Sequence, residues 1–517
     1  MAQPTSPLDG EQPTGPSERL GRFAHGFKRL FAGSLFGKCL GIVRELALAA
    51  NFGTGTWAGS LRAGRAAMVL PTSGFGASII EPGFIPLYTR CLRDDPDRTG
   101  GLFWSTLTLT ALFTGAIAAV LWFGASFWAA VVAPGFGPEA RAATAGMIRV
   151  MSLGVPVLAL ARILSGLEMA HGGYFVQSLR STAENLGVLT AIGAAVLWRD
   201  PWLLGWGLVV YAVLYLVIAT AAVWKGRMVP AFHGVTWHDF KSHGSQLTGL
   251  ARLLWILPLA AQGTVVAERV VASLISVDAV AALGYAKAVS ETGMALVAIP
   301  LGLVGLAELS RVDLSEARER LAALVPVLLV GLVPCSLFLT LNASNIVDLL
   351  FARGQFGAQS THITAMILIG LGIGLWAQVT SHVLIKGLNA AGHNKEAVRA
   401  TVAAAIAHLV VTLLLYRPLG ALALGFGATA FELVRLWFGA HHFRLFGVLG
   451  RYLAPLSIGG LLYTLLAVRT GGEGAADLVP AGLVFLTFWA LYIMVVPQLR
   501  AVVTPILVRP FLTRRAA

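Results

Sequence analysis

The sequence predicts an all-α polytopic membrane protein of about fourteen transmembrane helices, and three observations carry that prediction. Of the 517 residues, 56% are hydrophobic and only 12% charged, against about 25% charged in soluble domains. Apolar runs of bilayer-spanning length recur along nearly the whole chain, with mean hydropathy +0.76; membrane barrel strands would instead be short and alternate residue by residue. The lysines and arginines fall between these runs and favour alternate connections, as the positive-inside rule requires.

In chain order, residues 1–26 are rich in Pro, Gly and Ser and read as a disordered cytoplasmic tail without the marks of a signal peptide. Spans follow near 27–52, 57–90, 101–132, 144–171, 176–198 and 202–224. The longest connection, Lys225 to Gln246, reads as a cytoplasmic linker. Its His233, His238 and His243 lack a neighbouring Cys or paired carboxylates and read as solvated loop residues rather than metal ligands. Spans near 247–276, 279–309, 318–342, 361–392, 396–416 and 418–445 form a second half. Two more, 451–468 and 478–500, complete the segment 446–517 with its basic C-terminal tail. Several spans exceed what a perpendicular helix needs, which implies tilt, kinks or extension beyond the lipid. Pro71, Pro82-Gly83, Pro156, Pro258, Pro300 and Pro334 mark candidate breaks.

With the N-terminus inside, one side receives Arg19 to Arg29, Arg90 to Arg98, Lys225 to Lys241, Arg311 to Arg320, Lys395 and Arg399, Arg444 and Arg451, and Arg509 to Arg515. The other side receives little beyond Arg141, Arg199, Arg353, Arg417 and Arg469. An even number of spans and cytoplasmic N- and C-termini fit this asymmetry. Topology therefore accounts for most of the net charge of +13, and no basic patch interleaved with aromatics points to nucleic acid. Cys39, Cys91 and Cys335 set no disulfide framework.

Ionisable residues inside apolar spans cost at least ~2.5–3.5 kcal/mol each near the bilayer centre and usually face a protein interior or a wet path. The first span carries Lys38, Arg44 and Glu45, the second Arg62, Arg65 and Glu81. Lys38 and Glu45, one heptad apart, project nearly the same way, while Arg62 and Arg65 share a face. Guanidinium groups gathered this way match phosphate oxygens bidentately, which points to an anionic, phosphate-bearing ligand; snorkelling to water is the bland reading of Lys38 and Arg62. A second set comprises Glu268, Arg269, Lys287 and Glu291. Lys287 and Glu291 are spaced to bridge within one helix, and Glu268 with Arg269 are candidates for coupling to a monovalent cation or a proton. Arg162 with Glu168, Arg180 with Glu184, and Glu432 with Arg435 read as pairs within the protein. No GxSxG, Walker loop, HExxH or dinucleotide fingerprint occurs in a credible context, so the chain reads as a transporter without cofactor or metal rather than an enzyme or a primary pump.

Several motifs resemble one family. They are Gly37 to Glu45 followed by Asn51-Phe52-Gly53, Leu70-Pro71 to Phe84-Ile85-Pro86, Ala133-Pro134-Gly135-Phe136, Leu350 to Phe356, and Gly387-Leu388-Asn389-Ala390 through Lys395 and Val398. Together they are similar to the MurJ/MviN family of lipid-linked saccharide flippases. The resemblance implies the multidrug/oligosaccharidyl-lipid/polysaccharide exporter fold. That fold has two six-helix lobes around a central cavity, here residues 27–224 and 247–445, plus two C-terminal helices. It further implies alternating access that carries an undecaprenyl-pyrophosphate-linked saccharide from the cytoplasmic to the periplasmic leaflet of the bacterial inner membrane, with the chain expected to act as a monomer. Arg44 matches the family's cavity-lining arginine, Glu45 its following acid and Lys38 its preceding basic position.

The departures from the family pattern are as informative. Thr72 to Gly76 replaces a basic pair, Gly59 stands where the peptidoglycan-precursor flippases have an acid, and Ala288 where they have an arginine, beside Lys287. Arg62, Arg65 and Lys287 would replace that charge, or the saccharide differs from lipid II, as in an exopolysaccharide or O-antigen unit. The competing readings are a cation-coupled small-molecule exporter on the same fold and a membrane glycan polymerase or ligase.

Overall fold

The computed structural model describes residues 36–69, 83–232, 256–292, 314–470, 472 and 474–513, and no strand occurs among them. In the first half of the chain the helices are α1 (residues 36–52), α2 (Thr56–Val69), α3 (Ile85–Asp94), α4 (Thr99–Phe123), α5 (Ala125–Val132), α6 (Pro138–Ser152), α7 (Gly154–Ala170), α8 (Phe175–Leu197) and α9 (Gly207–Lys225). The second half holds α10 (Ile256–Ile275), α11 (residues 277–292), α12 (Leu314–Leu341), α13 (Ala343–Phe351), α14 (Ala358–Ala390), α15 (Asn394–Leu419) and α16 (Leu422–His442). After these come α17 (Phe446–Thr470), α18 (Leu478–Val495) and α19 (Pro497–Thr513).

Among the described residues, nine helical stretches are long and apolar enough to cross a membrane, and they fall on nine of the expected spans. The expected span 176–198 is the helix α8, made less apolar by Gln177, Arg180, Glu184 and Asn185. The spans near 27–52, 57–90, 247–276 and 279–309 run partly outside the described residues, as do the N-terminal tail, the linker histidines and Glu81.

Two expected spans carry breaks, and a third ends at a turn. The run 101–132 divides at Gly124 into α4 and α5. The run 144–171 divides at Leu153, where the ring of Pro156 meets the carbonyl four residues back and removes a helical bond. After α12 the chain turns at Asn342, whose side-chain amide donates to the Phe338 carbonyl at 3.0 Å alongside the backbone N–H. At 33 residues, α14 is the longest element. At 1.5 Å per residue it reaches about 50 Å, well beyond a ~30 Å hydrocarbon layer.

The chain divides into two compact units that do not follow chain order. The first comprises 1–44, 71–123 and 149–254; the second comprises 45–70, 124–148 and 255–517. In the first unit α9 packs on α7 and α8, around Leu158, Ala161, Val176, Tyr211 and Tyr215. A neighbouring cluster of Phe84, Tyr88, Phe103, Ile163 and Leu167 joins α3, α4 and α7. In the second unit α14 packs on α12, α13 and α16, and α15 on α10 and α16. A large core there runs from Leu321 and Leu328 through Leu384, Leu388 and Phe443 to Tyr463 and Trp489, tying the two C-terminal spans to α12.

Candidate functional site

In the first unit, α1 presents Arg44 half-buried and Lys38 exposed. Arg44 Nη1 donates to Asn185 Oδ1 at 2.8 Å. The Asn185 amide in turn donates to the carbonyls of Gly37 at 2.8 Å and Ser181 at 2.9 Å. One carboxamide thus fixes the path of α1 against α8 and aims the guanidinium of Arg44, with every bond satisfied in an apolar setting. The other polar residue near that helix behaves differently from expectation. Glu168 does not reach Arg162; its two carboxylate oxygens accept the backbone N–H groups of Phe175 at 3.0 Å and Val176 at 2.9 Å, which are unsatisfied donors at the start of α8.

In the second unit two carboxylate–cation pairs join different helices. Glu45, 4% exposed, pairs with Arg62 of α2. The Arg62 guanidinium also lies 4.5 Å from the ring centroid of Tyr285 on α11, and a Cβ at position 284 would collide with it, so Gly284 makes the room. The Tyr285 hydroxyl donates to the Gly53 carbonyl at 2.8 Å, and Phe351 and Phe356 pack on its ring. The loop after α13 closes this assembly. Gln355 N donates to the Ala50 carbonyl at 2.8 Å, and Gly354, at φ +61°, brings its backbone so near that carbonyl that no side chain fits. The motifs Asn51-Phe52-Gly53 and Leu350 to Phe356 are therefore packing partners of one another.

The second pair joins Glu268 of α10 to Lys287 of α11. The i, i+4 bridge from Lys287 to Glu291 that spacing suggests gives way to it: Glu268 is 1% exposed and needs a cation, whereas Glu291 is solvent-exposed. Arg269 turns away, donating to the Val280 carbonyl at 2.8 Å. Glu432 and Arg435 pair as expected, at 3.0 Å, and Ser381 adds a 2.6 Å hydrogen bond to the same carboxylate. Arg65 is half-buried on α2, one turn beyond Arg62.

The candidate site residues are thus distributed over three places: Arg44 with Lys38 on α1, Glu45 with Arg62, and Glu268 with Lys287 beside Glu291. Asn185, Tyr285 and His408, whose Nε2 on α15 lies 4.0 Å from Glu268 Oε1, are the participants that sequence reasoning missed. A polar or aromatic residue amid an apolar run was the only signal each offered. Among the described residues no group of three side chains is arranged to hold a metal ion.

A family profile described as the lipid II flippase MurJ matches residues 74–444. The chain belongs to this family. It is accordingly a flippase of a lipid-linked saccharide, a multi-pass inner-membrane transporter rather than an enzyme. Curated relatives agree. A probable lipid II flippase MurJ of Rhizobium tropici is 26% identical over 407 residues, covering 74% of each chain. The lipid II flippase MurJ of Burkholderia cenocepacia is 24% identical over 390 residues, covering 73% of this chain and 75% of its own. Among solved structures, a lipid II flippase MurJ in an inward closed conformation superposes with TM-score 0.79 at 15% identity, covering 93% of this chain and 99% of the other. An inward-facing multidrug resistance MATE family transporter of the MOP superfamily gives 0.61 at 13% identity, over 81% of this chain and 97% of its own. These two share the fold, and the first shares it over nearly the entire length.

Proposed function

We propose that the chain carries an undecaprenyl-pyrophosphate-linked saccharide, lipid II in the first place, from the inner to the outer leaflet of the bacterial inner membrane by alternating access. Both termini lie in the cytoplasm, and a single chain, with its lobes at 27–224 and 247–445, is the working unit. The supporting observation is Arg44: a guanidinium half-buried in an apolar helix, held in one orientation by Asn185, in a chain whose family moves lipid-linked saccharides. Its planar donors suit a diphosphate, and Lys38 and Arg65 add positive charge on α1 and α2. Glu45 with Arg62, and Glu268 with Lys287, balance charge within the second unit. The test is translocation of a lipid-linked saccharide in proteoliposomes. Arg44→Ala, expressed and folded as the parent, is expected to lose at least about tenfold in rate, the scale of one charge-assisted contact; an unchanged rate sinks the assignment.

A second saccharide, an exopolysaccharide or O-antigen unit on the same carrier, is favoured by Gly59. A Cβ there would already overlap Val277 of α11, so the acid that the peptidoglycan-precursor flippases are expected to carry has no room. Rescue of a strain depleted of its peptidoglycan flippase supports lipid II; failure of rescue by a well-expressed chain supports the second saccharide.

A further inference from the structure

One face of α14 carries a polar stripe that the packing of the second unit does not use. Gln378, His382, Lys386 and Asn389 are spaced by four, four and three residues, which keeps them on one side of the helix. The same side contributes Leu371, Gly374 and Gln378 to the wall of a cavity of about 210 Å³, which Lys287, Glu291 and Glu432 also line. His382, Lys386 and Asn389 continue that wall along the last turns of the helix, and all three are exposed.

Snorkelling to the lipid boundary is the ordinary use of a lysine near the end of a membrane-spanning helix. The packing around Lys386 argues for another. Val383, Leu384, Ile385, Gly387 and Leu388 are all buried. Leu384 lies against Gly439 of α16, and Gly387 against Leu321 of α12 and against Phe443. Neighbouring helices thus cover the other sides of this segment, and the stripe occupies the sector left open. The apolar residues that α14 leaves partly or fully exposed nearer its N-terminus, Met366, Ile369 and Ile373, fall on the opposite side by helical geometry. The lysine therefore stands on the polar face that leads from the cavity.

The charges on that face are positive and incompletely matched. Lys287 holds Glu268, Arg269 donates to the Val280 carbonyl, and Arg435 holds Glu432. Lys386 has neither an ion pair nor a hydrogen bond among the described residues, and the charged neighbours of His382 are Arg435 and Lys386 itself. An ionisable side chain within a membrane span without a partner marks a place where a ligand supplies one. An ammonium meets an anionic oxygen as a point charge, while the imidazole and the two carboxamides beside it can donate to hydroxyl and carbonyl oxygens. We propose that Lys386 is a further substrate-contacting residue, which takes an anionic oxygen of the lipid-linked head group, with Gln378, His382 and Asn389 as the polar track beside it. This rests on the function proposed above. Such oxygens come from two sources, the diphosphate and any carboxylate on the saccharide or on a peptide attached to it.

The test is the binding of three lipids to the purified full-length chain in detergent: undecaprenyl diphosphate, an undecaprenyl-diphosphate-linked neutral disaccharide, and lipid II, whose peptide adds carboxylates. Lys386→Gln, which strands no partner, is expected to weaken binding about tenfold, the scale of one charge-assisted contact, and Lys386→Arg to retain most of it. Equal weakening for all three lipids assigns the contact to the diphosphate; weakening confined to lipid II assigns it to a carboxylate. Lys395→Gln, at an exposed lysine on α15 outside the stripe, is expected to change none of the three. Affinities equal in the parent and Lys386→Gln for all three lipids overturn the proposal, as does an equal fall in Lys395→Gln, which would mean diffuse attraction to surface charge. In proteoliposomes, a parent that binds through Lys386 yet translocates none of these lipids counts against the proposed function and leaves the contact standing. A parent that translocates them while Lys386→Gln binds unchanged does the reverse.

Discussion

Glu45–Arg62 and Glu268–Lys287 are the same chemical device in one unit, a buried carboxylate holding a cation across two helices, yet their surroundings differ. Arg62 is sealed: its side chain is 12% exposed, covered by Tyr285, with Gly284 shaped around it. Lys287 is 28% exposed and looks into a cavity that offers two further carboxylates. A cation without alternatives is a structural lock, whereas one with alternatives is exchangeable. The first pair stands at the junction of α1, α2 and the loop after α13, where backbone packs on backbone at Ala50 and Gly354. The second stands where the His408 imidazole and one Glu268 oxygen have no hydrogen-bond partner among the described residues.

This contrast is broken or sharpened by substitution. The largest effect is expected from Glu45→Ala, which strands the sealed guanidinium and should cost about 3–5 kcal/mol, read as a fall in the thermal midpoint in detergent. Glu268→Ala should cost clearly less, because Lys287 has Glu291 and Glu432 within the same cavity; an equal or larger fall erases the distinction. Gly284→Ala, which drives a methyl into the Arg62 guanidinium, should cost about 1–3 kcal/mol as overpacking does. Asn185→Ala should lose about 1–2 kcal/mol for its hydrogen bonds and should also slow translocation by releasing Arg44. The smallest change in stability is expected for exposed Lys38→Ala, within about 0.5 kcal/mol.

How much of this was legible beforehand follows from the kind of force involved. Apolar runs are local, so the spans over α4, α9, α12 and α14 to α18 could be read directly. The break at Leu153 was legible through Pro156, but that at Asn342 depends on a side chain competing for one carbonyl. Buried charges were legible as buried; their partners were not. The i, i+4 rule proposed Glu291 for Lys287, but the cost of leaving Glu268 unpaired in the interior is larger than the few tenths of a kcal/mol that such a helical bridge contributes. Glu168 was assigned to Arg162 by proximity in sequence, though the free N–H groups of α8 lay closer in space. His408 and Asn185 gave no periodic signal, since one polar residue in an apolar helix reads the same whether it is satisfied core or part of a site.

The central claim is that Arg44, aimed by Asn185, holds the diphosphate of a lipid-linked saccharide during its passage. Translocation of that lipid in proteoliposomes, compared between the parent chain and Arg44→Ala at matched incorporation, tests it most directly. The account predicts transport by the parent and a loss of about tenfold or more in the variant; equal rates in the two would contradict it.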